Sequence, residues 1–469
     1  MQETWTSALP WGETSIVVTG LGYGDEGKGA TVDALVRRLG ALLVVRHNGG
    51  PQAAHHVVGE DGRAHCFAQF GSGTLVPGVR TYLSRHMLVE PLALGREAAA
   101  LERIGITAPL ERITIDARCA IVTPFHRLIG RMQELSRGTG RHGSCGMGSG
   151  AAYVDAQNPR VPTLRFGDLR GSVDALRSKL GLIQTIKLDR AERLMELRTD
   201  DADMLLALAE MGRPGLVDDI MAAYAPIVGQ VASDEGEALR AVVVDRPQRV
   251  IFEGAQGVLL DADRGFWPYV TPSCTDASLA ASLLAEAGAP PPLHLGVLRA
   301  YATRHGPGPF VSEVAGMAAR LPERHNTERR WQGPMRVGAF DLVAARHALE
   351  LCATAGPGID GLVLTCLDRL TGLDPVPVCT AYRAPDGAVH ARLDPPPGDH
   401  EARANYSELL MRHQPVSSPH PGWHEPGLPA AAMQYARLLA DELGLPLAGL
   451  ASGETAADRV WAPTGARAS

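Results

Sequence analysis

The feature that most constrains this sequence is the glycine-rich stretch of residues 20–29, GLGYGDEGKG. The β-branched run before it (15–19, SIVVT) predicts a strand, and the apolar spacing after it (31–39, TVDALVRRL) predicts a helix. Glycines let backbone N–H groups approach an anion, a helix N-terminus favours negative charge, and Lys28 adds a positive one. The pattern therefore predicts a phosphate-binding loop between a strand and a helix.

This loop differs from an ordinary P-loop. Asp25 and Glu26 lie inside it, and no Ser or Thr directly follows Lys28. A carboxylate beside phosphates repels them unless it binds a metal ion or takes part in proton transfer. Asp25 is therefore the first catalytic candidate. The alternative is a glycine-rich turn whose acidic residues are only solvated.

Composition limits the class of protein. With 469 residues and 45% hydrophobic residues, the chain can bury a sizeable core. A net charge of −7 argues against partners such as nucleic acid or an anionic membrane surface. No apolar run reaches membrane-spanning length, and the N-terminus lacks the pattern of a signal peptide. The seven cysteines form no Cys-x-x-Cys pair, which favours reduced thiols and a cytoplasmic location.

The chain is predicted to form one large unit. Residues 1–14 are expected to be a loose leader, and residues 15–469 a single domain. Apolar stripes against charged faces predict a helical sub-domain over about 172–239, with the Met and Leu stripes as core. Residues 383–428 are rich in Pro, His and Asp and are expected to be irregular surface.

Several further stretches repeat the pattern of a buried strand followed by a polar or glycine-containing loop. They are 41–56 (ALLVVRHNGGPQAAHH), 250–257 (VIFEGAQG), 296–308 (GVLRAYATRHGPG) and 361–368 (GLVLTCLD). Ligands of open α/β sheets bind at the carboxyl ends of the strands, so these loops are expected to face one crevice. The fold class predicted is α/β with a large, mostly parallel sheet.

Residue chemistry within these loops suggests ligands. His55 adjoins a second glycine-rich loop, although a hydrogen-bonded structural histidine is the alternative. Gln256 can both donate and accept hydrogen bonds at an oxo group or base edge, and Asp368 can accept both the N1 and N2 protons of guanine. The third glycine-rich loop, 138–150, suits a second anionic ligand, with a flexible surface loop as the alternative.

Taken together, three motifs resemble the adenylosuccinate synthetase family: 24–29 (GDEGKG), 252–261 (FEGAQGVLLD) and 300–310 (AYATRHGPGPF). The resemblance covers nearly the whole chain in order. It implies a sheet related to that of P-loop NTPases, a homodimer, and a reaction that depends on GTP and Mg²⁺. In that reaction the 6-oxo group of IMP is phosphorylated, and the amine of aspartate then displaces the phosphate.

The resemblance also implies site residues. Asp25, Lys28, His55 and Gln256 would be catalytic, and Asp25 together with the carbonyl of Ala54 would bind Mg²⁺. The implied GTP contacts are Gly24, Glu26, Gly27, Lys28, Gly29, His55, Cys366, Asp368, Ser452 and Gly453. The implied contacts of the IMP-like nucleotide are Gln52, Ser144, Cys145, Gln256 and Thr271.

Departures from the family pattern bear on the substrates. Ala54 replaces a glycine, Cys145 a threonine that contacts the IMP phosphate, and Cys366 a lysine that packs on guanine. The arginine-rich loop that binds the amino donor is replaced by 330–335, RWQGPM, leaving Arg330, Gln332 and Arg336 as donor candidates. Two alternatives therefore stay open: a paralogue acting on another purine-like nucleotide or another amine, and a nucleotide-binding protein without catalysis.

Overall fold

The computed structural model describes residues 8–196, 200–323, 331 and 333–465. Its strands, in chain order, are β1 Ile16–Gly20, β2 Leu43–Arg46, β3 His55–Val58, β4 Ala64–Phe67, β5 Arg80–Leu83, β6 Leu88–Val89, β7 Ile113–Asp116, β8 Ala120–Ile121, β9 Ala232–Asp234, β10 Val250–Glu253, β11 Leu293–Arg299, β12 Ala302–His305, β13 Met335–Gly338, β14 Phe340–Asp341, β15 Gly361–Thr365, β16 Val376–Arg383, β17 Val389–His390, β18 Gln414–His420, β19 Leu447–Ala451 and β20 Arg459–Trp461.

The helices lie mainly between these strands. They are α1 Lys28–Leu39, α2 Pro91–Arg103, α3 Pro124–Ser136, α4 Ser149–Gln157, α5 Val173–Met195, α6 Ala202–Met211, α7 Leu216–Val228, α8 Glu237–Asp245, α9 Ser278–Ala287, α10 Met317–Arg320, α11 Leu342–Ala355, α12 His400–Leu410 and α13 Ala430–Leu443. Within the described ranges, no helix is long and apolar enough to cross a lipid bilayer.

A ten-stranded sheet organises the fold, in the order β20-β19-β15-β11-β1-β10-β2-β5-β7-β9. Neighbouring strands run parallel except β19 and β20, which are antiparallel. This confirms the predicted fold class. Central strand β1 pairs with β10 and β11, and all five of its residues are buried. Strands covered on both faces need such continuous apolar runs.

Helices cover the two faces of this sheet. On one face α1 packs its apolar stripe, which includes Val32 and Leu35, against Ile16 of β1. On the other face α8 and α9 pack against Val17 and Phe252. Because both faces are closed, a ligand can reach the sheet only at its edges, and the loops after β1, β2, β10, β11, β15 and β19 all emerge at the carboxyl edge.

Helices α5, α6 and α7 fall in the stretch predicted to be helical. They share a hydrophobic core with α2 and α3, in which Met204 and Met211 are fully buried. A buried polar cluster joins α3, α4 and α5: His126 contacts Asp155 at 2.9 Å between Nε2 and Oδ2, and Lys187 pairs with the same carboxylate. Because α4 directly follows the third glycine-rich loop, this cluster fixes the end of that loop.

Two regions differ from the sequence expectations. Residues 8–14 are packed rather than loose, because the Trp11 indole is buried and donates to the carbonyl of Ala462 at 3.0 Å. Residues 383–428 are not wholly irregular, since they contain α12 and β18, and β18 pairs with β16. Asp399 caps α12 by accepting a hydrogen bond from the backbone of Ala402, a signal present in the sequence.

Candidate active site

The loop after β1 has the backbone of an anion site. Gly24, Asp25 and Gly27 have φ values of 89°, 61° and 88°, and Gly27 precedes α1 in the left-handed region. Gly27, the N-cap residue of α1, has no side chain that could accept hydrogen bonds from the first turn. The N–H groups of its first turn therefore remain available to a phosphate, as the sequence predicted for a strand-loop-helix unit.

Glu26 occupies the inside of this loop. Its carboxylate accepts hydrogen bonds from the backbone of Gly22 and Gly24, at 3.1 and 2.7 Å, and pairs with Nζ of Lys28 at 2.5 Å. Glu26 and Lys28 are both buried. Glu26 is among the GTP contacts predicted from the sequence. In the structure its carboxylate binds backbone N–H groups of the loop and balances the positive charge of Lys28. A phosphate that binds this loop competes with Glu26 for Lys28.

Two residues at neighbouring strand ends hold the other side of the loop. Arg299, the last residue of β11, donates to the carbonyl of Asp25 and pairs with Glu323 at 2.8 Å. Thr365, the last residue of β15, donates its hydroxyl to the carbonyl of Glu26 at 2.6 Å. Asp25 is thereby fixed at the carboxyl edge of the sheet. Sequence reasoning did not assign Arg299 or Thr365 to the site.

His55 lies beside this loop. It begins β3, and its Nδ1 is 2.5 Å from Oε1 of Glu253 at the end of β10. Its backbone packs so closely on α1 that a Cβ at Gly29 would lie 2.6 Å from the Cβ of His55. Burial lowers the pKa of His55, and the negative charge of Glu253 opposes that shift. Since Nδ1 faces Glu253, Nε2 is the ring atom left for a ligand.

Glu253 is the residue that sequence reasoning missed most clearly. Its carboxylate accepts hydrogen bonds from the backbone (2.9 Å) and the hydroxyl of Ser72 as well as from His55. Burial alone would raise its pKa, but the charge of Arg46 and the hydrogen bonds from His55 and Ser72 lower it to about 2. The sequence did contain a signal for Glu253, because a carboxylate there directly follows three apolar residues of a buried strand.

Gln256 follows Glu253 after a tight turn. It has a φ of 59°, and its Oε1 is buried without a hydrogen-bond partner in the described part of the chain. Asn48 holds this turn, because its side chain exchanges hydrogen bonds with the backbone of Ala255 at 2.7 and 3.2 Å. Buried polar atoms rarely stay unpaired, so a free amide group at a strand end is expected to contact a ligand.

The second and third glycine-rich loops meet the turn around Thr271. The Ser149 hydroxyl donates to Gln52 at 2.7 Å, and the backbone N–H of Gly49 donates to the Ser273 hydroxyl at 3.1 Å. These bonds bring together the stretches that carry the predicted nucleotide contacts. Within them, Gln52, Cys145 and Thr271 are half-buried, whereas Ser144 is exposed.

The predicted purine pocket of GTP lies at the ends of two paired strands. Cys366 and Asp368 follow β15, and Ser452 and Gly453 follow β19. Cys366 has a φ of 61° and begins a short helical turn. Burial raises the pKa of its thiol, so the thiol is neutral at physiological pH. The pairing of β15 with β19 thus places all four predicted residues at one edge.

The chain is similar to known proteins over most of its length. The sequence model of the adenylosuccinate synthetase family matches residues 17–460. The chain belongs to the adenylosuccinate synthetase family. It is 33% identical over 463 residues to the adenylosuccinate synthetase of Marinomonas sp. and 31% identical over 454 residues to that of Magnetococcus marinus, with 94% of this chain and 96% of each relative aligned.

A solved structure shares the fold. The fully ligated adenylosuccinate synthetase from Plasmodium falciparum matches with a TM-score of 0.75 at 21% identity, covering 96% of this chain and 99% of that one. The family is one of GTP-dependent ligases that form a C–N bond, which confirms the predicted enzyme class and GTP as co-substrate. The comparisons do not favour the alternative of a paralogue with a different acceptor or donor.

The donor side differs from the sequence expectation for this family. Arg330 and Gln332, two of the three predicted donor contacts, lie outside the described residues. The third, Arg336, is already engaged: it pairs with Glu313 (2.9 Å from Nε), donates to the carbonyl of Gly308 at 2.8 Å, and lies 5.2 Å from the centre of the Phe310 ring. In this arrangement Arg336 stabilises its own turn rather than facing a donor.

Arg304 ties the donor side to the phosphate loop. Its fully buried guanidinium donates to the carbonyls of Pro309 (2.9 Å) and Tyr269 (3.2 Å) and lies 4.3 Å from the centre of the Tyr23 ring. Burial lowers the pKa of Arg304 to about 10, which leaves it charged at physiological pH. Its donors are satisfied by carbonyls, so its role in this arrangement is to hold the two loops together.

The described residues also contain a group of three potential metal ligands away from the predicted Mg²⁺ site: Asp261, Cys274 and Asp276. Arg264 pairs with Asp276 and lies 3.6 Å from Asp261. The positive charge of Arg264 therefore already offsets the negative charges of both carboxylates. Asp25 and Ala54 offer the oxygen ligands that Mg²⁺ prefers.

Proposed function

We propose that this chain synthesises adenylosuccinate from IMP, aspartate and GTP, and that Asp25, Lys28, His55 and Gln256 perform the phosphoryl transfer. The observation that carries the assignment of these roles is the buried Glu253–His55 pair, 2.5 Å apart, at the sheet edge from which the Asp25 and Gln256 loops also emerge. A histidine oriented by a buried carboxylate beside an anion-binding loop suits phosphoryl transfer.

In the first step Asp25 takes the proton from N1 of IMP, which makes the 6-oxygen a nucleophile. This oxygen attacks the γ-phosphorus of GTP, the bond between the γ-phosphorus and the β,γ-bridging oxygen breaks, and GDP leaves. The charge of Glu253 favours the imidazolium form of His55, in which Nδ1–H donates to Glu253 and Nε2–H donates to the transferring phosphoryl group. Lys28 and the loop N–H groups neutralise the charge of that phosphoryl group. The Gln256 amide contacts the 6-oxygen while it carries negative charge.

In the second step the amine of aspartate attacks C6. A C–N bond forms and the attacking nitrogen gives up one proton, while the C6–O bond breaks and inorganic phosphate leaves with the electron pair of that bond. A phosphate is a far better leaving group than the original oxo group, which is why the first step is needed. The products are adenylosuccinate, GDP and phosphate.

Mg²⁺ would be held by the Asp25 carboxylate and the carbonyl of Ala54, and it would supply positive charge to the phosphates of GTP. Replacement of glycine by Ala54 leaves a backbone carbonyl available as a ligand. The guanine base is expected to donate N1–H and N2–H to Asp368, since adenine offers no matching pair of donors.

A homodimer and a cytoplasmic location complete the proposal. Val154 in α4 and Arg160 just beyond this helix are exposed beside the loop that carries the predicted nucleotide contacts, so this surface is available to a second copy. No disulfide links the seven cysteines, all of which lie in the described ranges, as expected for a reducing compartment. Light scattering of purified protein tests the dimer, and cell fractionation tests the location.

The central experiment measures phosphate release with GTP, Mg²⁺ and IMP, with and without aspartate, and follows the purine product by mass. We expect release that depends on aspartate and a product with the mass of adenylosuccinate. Binding of GTP without product formation from IMP and aspartate would contradict the proposal. A parallel reaction with ATP measures the nucleotide preference.

A further inference from the structure

Arg141, in the third glycine-rich loop, has an unusual environment. Its guanidinium carbon lies 5.8 Å from the centre of the Trp331 indole, and its Nε is buried without a partner. Across the described ranges its guanidinium makes neither a hydrogen bond nor an ion pair. A guanidinium packed on an aromatic ring is held in position while its N–H donors remain unused. Such a group is suited to bind an anion.

A second guanidinium contacts the same indole. Arg131 of α3 lies 5.7 Å from the centre of the Trp331 ring, and its Nε donates to the carbonyl of Gly146 at 3.1 Å. Two positive charges around one indole repel each other, and an anion with two negative groups relieves this repulsion. The pair of arginines therefore matches a dicarboxylate.

Trp331 joins two loops at this point. Gly146, in the third glycine-rich loop, has a φ of 70°, and a Cβ added there would lie 2.9 Å from Cδ1 of Trp331. The indole thus rests directly on the backbone of that loop. Trp331 itself precedes β13, in the segment that corresponds to the donor loop of the family. Of this segment, the described residue Trp331 contributes an aromatic ring, and the two guanidiniums that contact this ring come from the opposite loop and from α3.

Two other arginines in the described part of this side are already engaged. Arg336 is paired with Glu313, and Arg304 donates to backbone carbonyls. Aspartate carries two carboxylates, and a guanidinium binds a carboxylate through two parallel hydrogen bonds. Of the arginines discussed on this side, Arg141 is the one whose donors are unused.

We propose that Arg141 and Arg131, positioned by the Trp331 ring, bind the carboxylates of aspartate. The inference rests on the proposed function. It predicts that the donor is recognised from the third glycine-rich loop and α3, with the indole forming one wall of its site.

The test compares steady-state kinetics of Arg141→Gln with the unmutated protein. We expect the KM for aspartate to rise about tenfold to a hundredfold, as for the loss of a charge-assisted hydrogen bond to a carboxylate. The KM values for IMP and GTP should stay within about twofold, because the inference assigns Arg141 to the amino donor and to neither nucleotide. Arg141→Lys keeps the charge without the planar fork and should give an intermediate KM for aspartate.

A second readout isolates the phosphoryl-transfer half. With IMP but no aspartate, exchange of labelled oxygen between the β,γ-bridging and non-bridging positions of GTP reports reversible phosphoryl transfer. This exchange should be unchanged in Arg141→Gln, whereas a merely structural role would lower it too. Arg193→Gln removes an exposed arginine of the helical region and is the matched control.

Each outcome decides the question. A rise in the KM for IMP instead of aspartate would assign the two arginines to the nucleotide phosphate and overturn the inference, as would unchanged KM values. If Arg141→Gln fails to fold, as judged by thermal denaturation, Arg141→Lys and Trp331→Ala make the same comparison. If the unmutated protein forms no adenylosuccinate, the proposed function fails first and this inference falls with it.

Discussion

The two sides of the crevice differ in what holds them. On the first side, around His55, the contacts come from buried residues such as Glu253 at a strand end. On the second side, around Trp331, they come from loop and helix residues, Arg141 and Arg131, that are partly exposed. On the first side Glu253 alone accepts three hydrogen bonds. On the second side Arg141 is held only by packing on an indole in the part of the chain that is described. The first geometry follows from the sheet, and the second depends on loops that approach each other across the crevice.

This difference indicates where a chain of this family can change. A buried network at strand ends tolerates few substitutions, since each leaves an unpaired polar group. A stacking contact between loops can be rebuilt from other residues without altering the sheet. The departures at Trp331, Met335 and Gly333 fall on the second side. On the first side His55 is retained, and the departures at Ala54 and Cys366 lie outside the hydrogen bonds of Glu253.

The largest effect is expected from Asp25→Asn. Asparagine tolerates the φ of 61° at this position, so the loop should keep its shape while losing its base. We expect kcat to fall about 10²–10⁴-fold, the usual contribution of a general base. Phosphate release and oxygen exchange in GTP should fall together. Loss of aspartate-dependent turnover with normal exchange would mean that Asp25 acts on the donor side instead.

Glu253→Gln should have the next largest effect. It keeps the size of the side chain but removes the charge that orients His55 through Nδ1. We expect kcat to fall about tenfold to a hundredfold with little change in any KM, because the residue touches no substrate. Rapid-quench measurement of the first turnover would locate the defect in phosphoryl transfer. A change confined to the KM for aspartate would contradict the separation of the two sides.

The ionised Glu253 carboxylate also predicts that the stability of the protein depends on pH. The pKa of Glu253 is lowered to about 2 from an ordinary value of 4.5, so its stabilising effect is present above pH 4.5 and is lost as the pH falls towards 2. Glu253→Gln should lower Tm at neutral pH, and the gap in Tm between the two proteins should narrow between about pH 5 and pH 3. Thermal scans across that range provide the measurement, and a gap that stays constant would speak against a buried, ionised Glu253.

On the donor side, Gly146→Ala should have a moderate effect. An added Cβ would lie 2.9 Å from the Trp331 ring, and the backbone of an alanine is strained at a φ of 70°. We expect the KM for aspartate to rise about threefold to tenfold, equivalent to about 1 kcal/mol of strain and lost packing. Gly140→Ala is the matched control, because it lies in the same loop with open space around its Cα. Equal effects of the two substitutions would show that Trp331 does not position the site.

The smallest effect is expected from Cys145→Thr, which restores the residue that the family uses at the nucleotide phosphate. A hydroxyl donates a stronger hydrogen bond than a thiol, so the KM for IMP should fall about twofold to fivefold. The KM for aspartate should not change. Steady-state kinetics with each substrate varied in turn separates the two, and a change in the aspartate KM alone would place Cys145 on the donor side.

Much of the first side could be predicted from the sequence. Strand-like runs that end in glycines, acids or polar residues predict the carboxyl edge of a parallel sheet, and Asp25, His55 and Gln256 follow from that pattern. The function of Glu26 within the loop could not be predicted, because a carboxylate that accepts backbone N–H groups looks in sequence like one that contacts a metal. Glu253 was visible as an acid at a buried strand end, yet nothing local to it pointed to His55.

The second side was beyond sequence reasoning for a physical reason. Trp331 and Arg141 are far apart in the chain, and neither belongs to a strand whose end fixes its position. A stacking contact between two such residues produces neither a hydrophobic periodicity nor a characteristic spacing in the sequence. Residues 8–14 and β18 were missed for a related reason, since each is ordered by distant partners, Ala462 and β16 respectively.

The position of β1 in the sheet has a consequence for synthesis of the protein. This strand ends at Gly20, whereas its two neighbours, β10 and β11, end at Glu253 and Arg299 and are translated much later. At typical rates of about 5–20 residues per second, roughly 10–60 s pass before both neighbours have been translated. During that interval the central strand has two open edges, which makes the nascent chain vulnerable to misassociation. The phosphate loop that follows β1 is thus made well before the two strands that flank it in the sheet.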